Sequence, residues 1–149
     1  QNSLDGTIPS ILHELSTLEH LDLSANALAG SLPSELGLFG NALTHLTVFD
    51  NSIGSTIPED LGRLINLQVL DLGSNELSGT IPAKIGLMRN LAGLSFFDNK
   101  LTGSVPCELQ GLDRLELFYI DSNDLGPPIC DEICELELLE FWSDCSEVQ

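Results

Sequence analysis

The side chains with the clearest capacity for chemistry are four cysteines near one end of the chain. They are Cys107, Cys130, Cys134 and Cys145. Four neighbouring thiols can form two disulfides in any of three pairings, bind zinc as thiolates, or remain free. The C-x3-C spacing of Cys130 and Cys134 lacks the C-x2-C pairs that are usual in zinc sites. The pattern therefore favours structural disulfides, and with them an extracellular compartment.

Catalytic patterns are missing from the rest of the sequence. No Ser-His-acid set can be assigned, there is no phosphate-binding loop, and no His/Cys spacing suits a metal ion. Paired carboxylates are frequent, but on a chain this acidic they are expected by composition. We therefore expect no enzymatic activity, no cofactor and no bound metal.

The charge of the chain limits its partners. There are 23 acids and five bases, which gives a formal net charge of -18. Nucleic acid and anionic membranes would be repelled. Residues 108–149 hold 12 of the acids, with Arg114 as the one base among them. This excess is typical of a solvated surface, and its alternative is attraction of a basic partner or of divalent cations. No run of 18 apolar residues is present, so we expect no membrane insertion by this segment.

A repeated phrase supplies the framework for these residues. The pattern N-x-L-x-G-x-[I/L/V]-P recurs every 24 or 25 residues, starting at Asn2, Asn26, Asn51, Asn75 and Asn99. A fixed period of this size indicates a stacked solenoid. We expect a truncated N-terminal half-repeat over residues 1–17, whose missing part lies upstream, then repeats of 24–25 residues over 18–133 and a cysteine-containing cap over 134–149.

Each repeat has a predictable course. In residues 67–90, apolar residues at 67, 70 and 72 predict a short strand, and stacked repeats then give a parallel sheet. The asparagine after each strand can bond turn backbone in its own and the next layer. A glycine permits the following bend and a proline begins a short helical turn. Ser55 replaces the glycine in one repeat, where we expect a changed turn.

The residues between and after the buried leucines face the concave side of the solenoid. Four of the eight aromatic residues of the chain, Phe49, Phe97, Tyr119 and Phe141, fall at these outward positions. Gly73 and Gly93 leave gaps between them. The ligand-binding residues predicted on this face are aromatic and acidic: Phe49, Asp50, Asp71, Phe97, Asp98, Tyr119 and Asp121. The alternative is aromatic packing that only covers the sheet.

Two further columns of side chains can each be interpreted as ordinary surface residues or as a functional site. His20 and His45 occupy one column on neighbouring strands, as two surface histidines or as a metal pair or pH-sensitive spot. A ladder of hydroxyl side chains directly precedes the Ile-Pro step of the repeats: Thr7, Ser31, Thr56, Thr80 and Ser104. These residues are either ordinary surface residues of a second short strand or an ice-binding array.

The consensus L-x-x-L-x-L-x-x-N-x-L-x-G-x-I-P-x-x-L resembles the plant-specific class of leucine-rich repeats over residues 2–133. Receptor-like kinases, receptor-like proteins and polygalacturonase inhibitors share this class. The tail from Ile129 to Cys145 resembles the C-terminal cap of leucine-rich-repeat proteins from diatoms and related algae. The expected fold is an α/β solenoid, a right-handed superhelix with a parallel β-sheet on the concave face and short 3-10 or helical turns on the convex face.

The repeat spacing also bears on the cysteines. Cys107 and Cys130 are 23 residues apart, nearly one repeat, so they should occupy adjacent layers about 4.8 Å apart, within reach of a disulfide. Cys134 then pairs with Cys145 to close the cap. A zinc site of four thiolates and free thiols are the alternatives.

These features predict an extracellular recognition module, secreted or at the cell surface, that binds a peptide, protein or glycan on its concave face. The resemblance adds the ectodomain of a cell-surface receptor as its setting. Two other functions fit the sequence: a structural or adhesive cell-surface protein that binds divalent cations, and a proteinaceous inhibitor of a secreted hydrolase.

Overall fold

The fold consists of two parallel six-stranded sheets joined by 3-10 helices, and it confirms the predicted solenoid. The computed structural model describes residues 2–127, Cys130, Ile133 and the backbone of residues 140–142. The chain passes from one sheet to the other in every repeat, so each repeat adds one strand to each sheet. None of the helices in the described residues is long and apolar enough to cross a membrane.

The first sheet forms the concave face. Its strands are three residues long, and each pairs in parallel with the strand one repeat away. In chain order they are β2 (His20–Asp22), β4 (His45–Thr47), β6 (Val69–Asp71), β8 (Gly93–Ser95), β10 (Leu117–Tyr119) and β12 (Glu140–Trp142).

The second sheet lies after the asparagine of each repeat. It contains the glycine of the repeated phrase. The residues of the hydroxyl ladder lie at the ends of its strands or just beyond them. Its strands are β1 (Asp5–Thr7), β3 (Ala27–Ser31), β5 (Ser52–Thr56), β7 (Glu76–Gly79), β9 (Lys100–Gly103) and β11 (Asp124–Leu125).

Among the described residues, five 3-10 helices line the opposite, convex side, each preceded by an extended proline. They span Ser10–Glu14, Ser34–Leu38, Glu59–Arg63, Ala83–Leu87 and Cys107–Gly111. Successive helices pack very closely. A Cβ atom added to Gly62 would lie 2.4 Å from the carbonyl oxygen of Lys84 in the next layer. Because that obstacle is backbone, a side chain at this position requires the layers to separate.

The core is a stack of aliphatic layers between the sheets and the helices. The central residue of each concave strand from β2 to β10 is buried, as are Val48, Leu72, Phe96 and Ile120 just after the strands. No polar side chain in the described part of the chain is buried. Each fully buried leucine contributes about 1.5–3 kcal/mol. The stability of every layer therefore depends on the apolar surface that its neighbours cover.

A ladder of asparagines joins the layers by bonding turn backbone groups, for which the core of the described residues has no buried polar side chain as a partner. The Asn75 amide nitrogen donates to the carbonyl oxygens of Leu72 (3.3 Å) and Gly73 (3.0 Å) in its own turn. It also donates to Val48 O in the preceding layer, at 3.0 Å, and its oxygen accepts from the Ile53 amide at 3.0 Å. Asn51, Asn99 and Asn123 bridge neighbouring layers in the same way.

A second contact between layers explains the glycine of the repeated phrase. Gly30, Gly79 and Gly103 all have φ near +80°. A Cβ atom on them would lie only 2.9–3.0 Å from the threonine methyl group of the preceding layer, on Thr7, Thr56 and Thr80 respectively. Glycine is therefore required both for its conformation and for the methyl group packed against it.

The repeat with Ser55 differs from expectation in an informative way. The predicted change of turn is wrong, because Ser55 has φ +70° and keeps the conformation of the glycines it replaces. In the preceding layer Ser31 pairs with Gly54, the residue directly before Ser55. Thr7 and Thr56 hold the same register position beside Gly30 and Gly79. Serine has no methyl group, so Ser31 leaves room for the Cβ atom of Ser55.

The C-terminal strand corrects one predicted column. In the register of β10 and β12, Glu140 lies opposite Leu117, Phe141 opposite Phe118 and Trp142 opposite Tyr119. The sequence analysis counted Phe141 among the outward positions, which is one residue out of register. A slip of one residue moves a side chain to the other face of a strand. Phe141 thus takes the register position of the core column, and Trp142 that of the outward column.

The cysteines that the structure describes are joined across two layers. Cys107, in the last 3-10 helix, forms a disulfide with Cys130, and their Cα atoms are 5.5 Å apart. Cys134 and Cys145, the second predicted pair, lie outside the described residues.

We predict that Asn75→Ala lowers the free energy of unfolding by about 2–4 kcal/mol, because it leaves several backbone groups beneath the turn without partners. Urea unfolding followed by circular dichroism measures this loss. Asn66→Ala is the matched control, since Asn66 donates one exposed bond to Asn41 O and should cost less than about 1 kcal/mol. Equal losses in the two variants would contradict the role assigned to the ladder.

We also predict that Ser31→Thr destabilises the wild type by about 1–3 kcal/mol, as overpacking does. The same change in a Ser55→Gly background should be close to neutral, because the glycine then accommodates the new methyl group. A double-mutant cycle of thermal unfolding measures the coupling. Thr80→Ser is the control, since it removes a methyl group and introduces no clash. A cost of Ser31→Thr that is the same in both backgrounds rules out the proposed contact.

Candidate functional site

A recess of about 350 Å³ lies on the concave face. Aromatic and acidic side chains from four successive layers line it: Phe49, Asp71, Ser95, Phe97, Tyr119 and Asp121. Five of these six are among the seven predicted ligand-binding residues, and the structure places them in one site. Ser95 is the residue that sequence reasoning did not select, although it occupies the same outward column as Asp71.

The alternation of the backbone aims these side chains outward. Val48 and Phe96 are fully buried, so the residues that follow them, Phe49 and Phe97, are presented on the opposite side. Phe49 remains 38% exposed, a large value for an aromatic side chain of a folded protein. The described residues therefore leave apolar surface of the site uncovered.

Gly73 is buried beside three of the side chains that line the recess. It takes the place that Phe49 and Phe97 occupy in the layers on either side. A Cβ atom added to Gly73 would lie 3.0 Å from Ser95 Oγ, 3.2 Å from Asp71 Oδ1 and 3.3 Å from Phe49 Cδ2. Glycine at this position therefore lets these three side chains pack over the backbone of its layer. Asp71 Oδ1 accepts the Gly73 amide at 3.0 Å, which orients the carboxylate.

Asp50 and Asp98, the other two predicted residues, do not line the recess. Each lies directly before the asparagine of its repeat, with φ +56° and +53°. The equivalent residues Ala25, Ser74 and Ser122 share this left-handed conformation. Aspartate tolerates it better than most residues, so the turn gives a structural reason for aspartate at both positions.

The basic residues of the chain all lie away from this face. Arg63 pairs with Asp60 at 3.0 Å, Lys84 with Glu59 at 2.6 Å and Lys100 with Glu76 at 3.1 Å. Arg89 bonds Gly111 O and lies 3.8 Å from Asp113, and Arg114 donates to Asn90 at 3.0 Å. Within the described residues, no Lys or Arg therefore neutralises the carboxylates of the recess.

A second hollow, of about 410 Å³, lies between the last two 3-10 helices on the convex side. Its cationic groups, Lys84 and Arg89, already bond acids or backbone of this chain. Although it is the larger of the two hollows, no aromatic side chain lines it, whereas three line the concave recess. The concave recess is therefore the better candidate.

His20 and His45 stack at the N-terminal end of the concave face. Their ring centroids are 4.1 Å apart and their planes differ by 11°. The Thr44 hydroxyl donates to Glu19 O at 3.0 Å and lies 2.9 Å from His45 Nδ1, so the neutral ring donates from Nδ1. Burial, and secondarily the positive charge of His20, lower the pKa of His45 below its usual 6.5. No group of three His, Cys, Asp or Glu in the described residues is placed to bind a metal.

Comparison with known proteins gives a consistent picture. The family profile described as Leucine Rich Repeat matches residues 17–39, 42–64 and 66–88. A search of curated proteins found no match.

Solved structures of plant receptors resemble the chain over most of its length. One is the plant peptide hormone receptor RGFR1 in complex with RGF2, with 35% identity and TM-score 0.89, covering 93% of this chain and 22% of that one. Another is the ectodomain of the Arabidopsis receptor kinase HAESA in complex with an IDA peptide hormone, with 32% identity and TM-score 0.85, covering 91% and 23%. This chain thus spans less than a quarter of the length of either receptor.

A third structure is closer in size. The ectodomain of the receptor kinase SOBIR1 from Arabidopsis thaliana is 33% identical, with TM-score 0.78, and the match covers 85% of this chain and 70% of that one.

We predict a pH effect from the histidine pair. Because the pKa of His45 is lowered in the fold, the unfolded chain binds a proton more readily, and the stability contributed by His45 is present above pH 6.5 and lost as the pH falls through its folded pKa. Between about pH 7.5 and 5, the melting temperature of His45→Gln should therefore fall by less than that of the wild type.

Thermal scans at matched ionic strength test this. His13→Gln is the control, because His13 lies in the first 3-10 helix, where its Nδ1 contacts Ser10 O. If His45→Gln and wild type have parallel pH profiles, the pair does not sense protons.

Proposed function

Because the chain belongs to the leucine-rich-repeat family, we propose that it is an extracellular recognition module that binds a peptide in the concave recess. Two of the similar structures are receptors with a bound peptide hormone. The cell surface is the setting that these receptors suggest for this chain, and the cysteine pair is in accord with an oxidising compartment.

The single observation that carries this proposal is the uncovered aromatic and acidic recess. Solvent-exposed aromatic side chains in a concave, otherwise regular surface are typical of interaction sites. Ligands of pockets make most of their contact with apolar and aromatic groups, while a few polar groups fix orientation. The recess has both kinds of group. Phe49, Phe97 and Tyr119 provide apolar contact area, and Asp71 and Asp121 are the polar groups that would orient the ligand.

The test uses random 12-residue peptides displayed on phage and selected against the folded protein. The affinity of each selected peptide is then measured by calorimetry against wild type, Phe97→Ala and Tyr119→Ala. We expect each truncation to weaken binding by about 2 kcal/mol, or roughly 30-fold, as at the centre of an interface. Peptides that bind all three proteins equally would place the contact surface elsewhere.

A pair of glycine variants provides a sharper control. Gly73→Ala adds a methyl group within 3.0–3.3 Å of Ser95, Asp71 and Phe49, and so displaces three side chains that line the recess. Gly93→Ala adds the same group to the same sheet, but its nearest contacts are Val69 methyls at 3.8 and 3.9 Å. We expect Gly73→Ala to weaken binding at least tenfold and Gly93→Ala to leave it unchanged, with circular dichroism spectra alike. The proposal fails if the two variants behave identically.

A further inference from the structure

We propose that the recess accepts an arginine side chain of the bound peptide, whose guanidinium lies against Phe49 and Phe97 and pairs with Asp71. This inference rests on the proposed function and names the chemistry of its ligand. We call this part of the recess the slot: its apolar side chains are the two phenylalanines and its polar group is the Asp71 carboxylate.

Charge decides the class of guest. Asp71 and Asp121 both line the recess, and the chain as a whole has a net charge of -18. Every Lys and Arg of the chain already bonds another group outside the concave face, within the ion pairs and hydrogen bonds described above. A cation that neutralises the slot must therefore come from a partner, and an anionic group would be repelled.

The arrangement around Gly73 brings the two kinds of contact to one place. Phe49 Cδ2 and Asp71 Oδ1 lie within 3.3 Å of the same point, the position of a Cβ atom on Gly73. A cation that bonds the carboxylate on the side of Phe49 therefore comes within the roughly 6 Å over which an aromatic ring attracts it. The Gly73 amide holds Asp71 Oδ1 at 3.0 Å, so the carboxylate is oriented before the ligand arrives.

The groups that line the slot favour a planar cation. Phe49 and Phe97 follow strands β4 and β8, which are separated by β6, and both line the recess together with Asp71. A guanidinium is planar, stacks on aromatic rings and bonds a carboxylate with two parallel N–H groups. The lysine ammonium is compact and strongly hydrated, and it fits this slot less well. The recess volume of about 350 Å³ is near the lower limit for ligand pockets, which suits one side chain.

The experiment compares arginine with its neutral isostere. In each selected peptide that contains arginine, that residue is replaced by citrulline and then by lysine, and calorimetry gives the affinities. We expect replacement of arginine by citrulline to weaken binding at least tenfold. The lysine peptide should bind with an affinity between those of the arginine and citrulline peptides. Asp71→Asn should weaken the arginine peptide about tenfold and leave the citrulline peptide unaffected.

Asp22→Asn is the matched control. Asp22 occupies the same column as Asp71, two strands away, and its Oδ1 accepts the Ser24 amide at 2.9 Å as Asp71 accepts that of Gly73. It does not line the recess. We expect Asp22→Asn to bind arginine and citrulline peptides as the wild type does.

A direct probe separates the two proposals. N-acetyl-L-arginine amide is titrated into the protein at millimolar concentration, and NMR follows the ring protons of Phe49 and Phe97, with N-acetyl-L-citrulline amide as the reference. Ring shifts with arginine that disappear in Asp71→Asn support the inference. Selected peptides that need Phe97 but bind equally with arginine or citrulline overturn it and leave the proposed function standing. If no selected peptide depends on Phe97, the proposed function fails. If the ring protons also do not shift when N-acetyl-L-arginine amide is added, this inference is overturned as well.

Discussion

The structure depends on one hydrogen-bonding device, the asparagine that closes each turn after a concave strand. Its amide bonds carbonyl groups of two layers and its oxygen accepts an amide of the preceding layer. These groups lie next to an aliphatic core that provides no other polar side chain in the described residues. An unpaired backbone group in such a place is costly. The ladder thereby fixes the spacing and rotation of the layers, and the columns of outward side chains follow from both.

The recess follows from that regularity. Because the layers are in phase, Phe49, Gly73, Phe97 and Asp121 form one column across four layers. In the second of these layers, glycine lets Asp71 and Phe49, two side chains of the recess, pack over the backbone. The neighbouring column contributes Asp71, Ser95 and Tyr119. A flat, repetitive surface thus acquires a distinct site through residue choice alone, without an insertion or a special loop.

Periodicity decided how much could be predicted from sequence. The sheets, the turns and most of the recess follow from a phrase that repeats with little change, so five lining residues were identified from their columns. The cap strand does not contain the phrase, and its register was predicted one residue out, at Phe141. Ser55 and the aspartates at 50 and 98 depend on backbone conformation, which composition alone does not reveal. The stacking of His20 on His45 required side-chain coordinates.

The contact of each threonine methyl group with the glycine of the following layer has a consequence for how such a chain can grow. Solenoids lengthen by duplication of whole repeats, and copies that look alike can recombine. Here, the three glycines each follow a layer that has threonine, whereas Ser55 follows a layer that has serine. The boundary between repeats therefore carries a compatibility rule, and a crossover inside the Ser31–Ser55 pair would yield a strained hybrid.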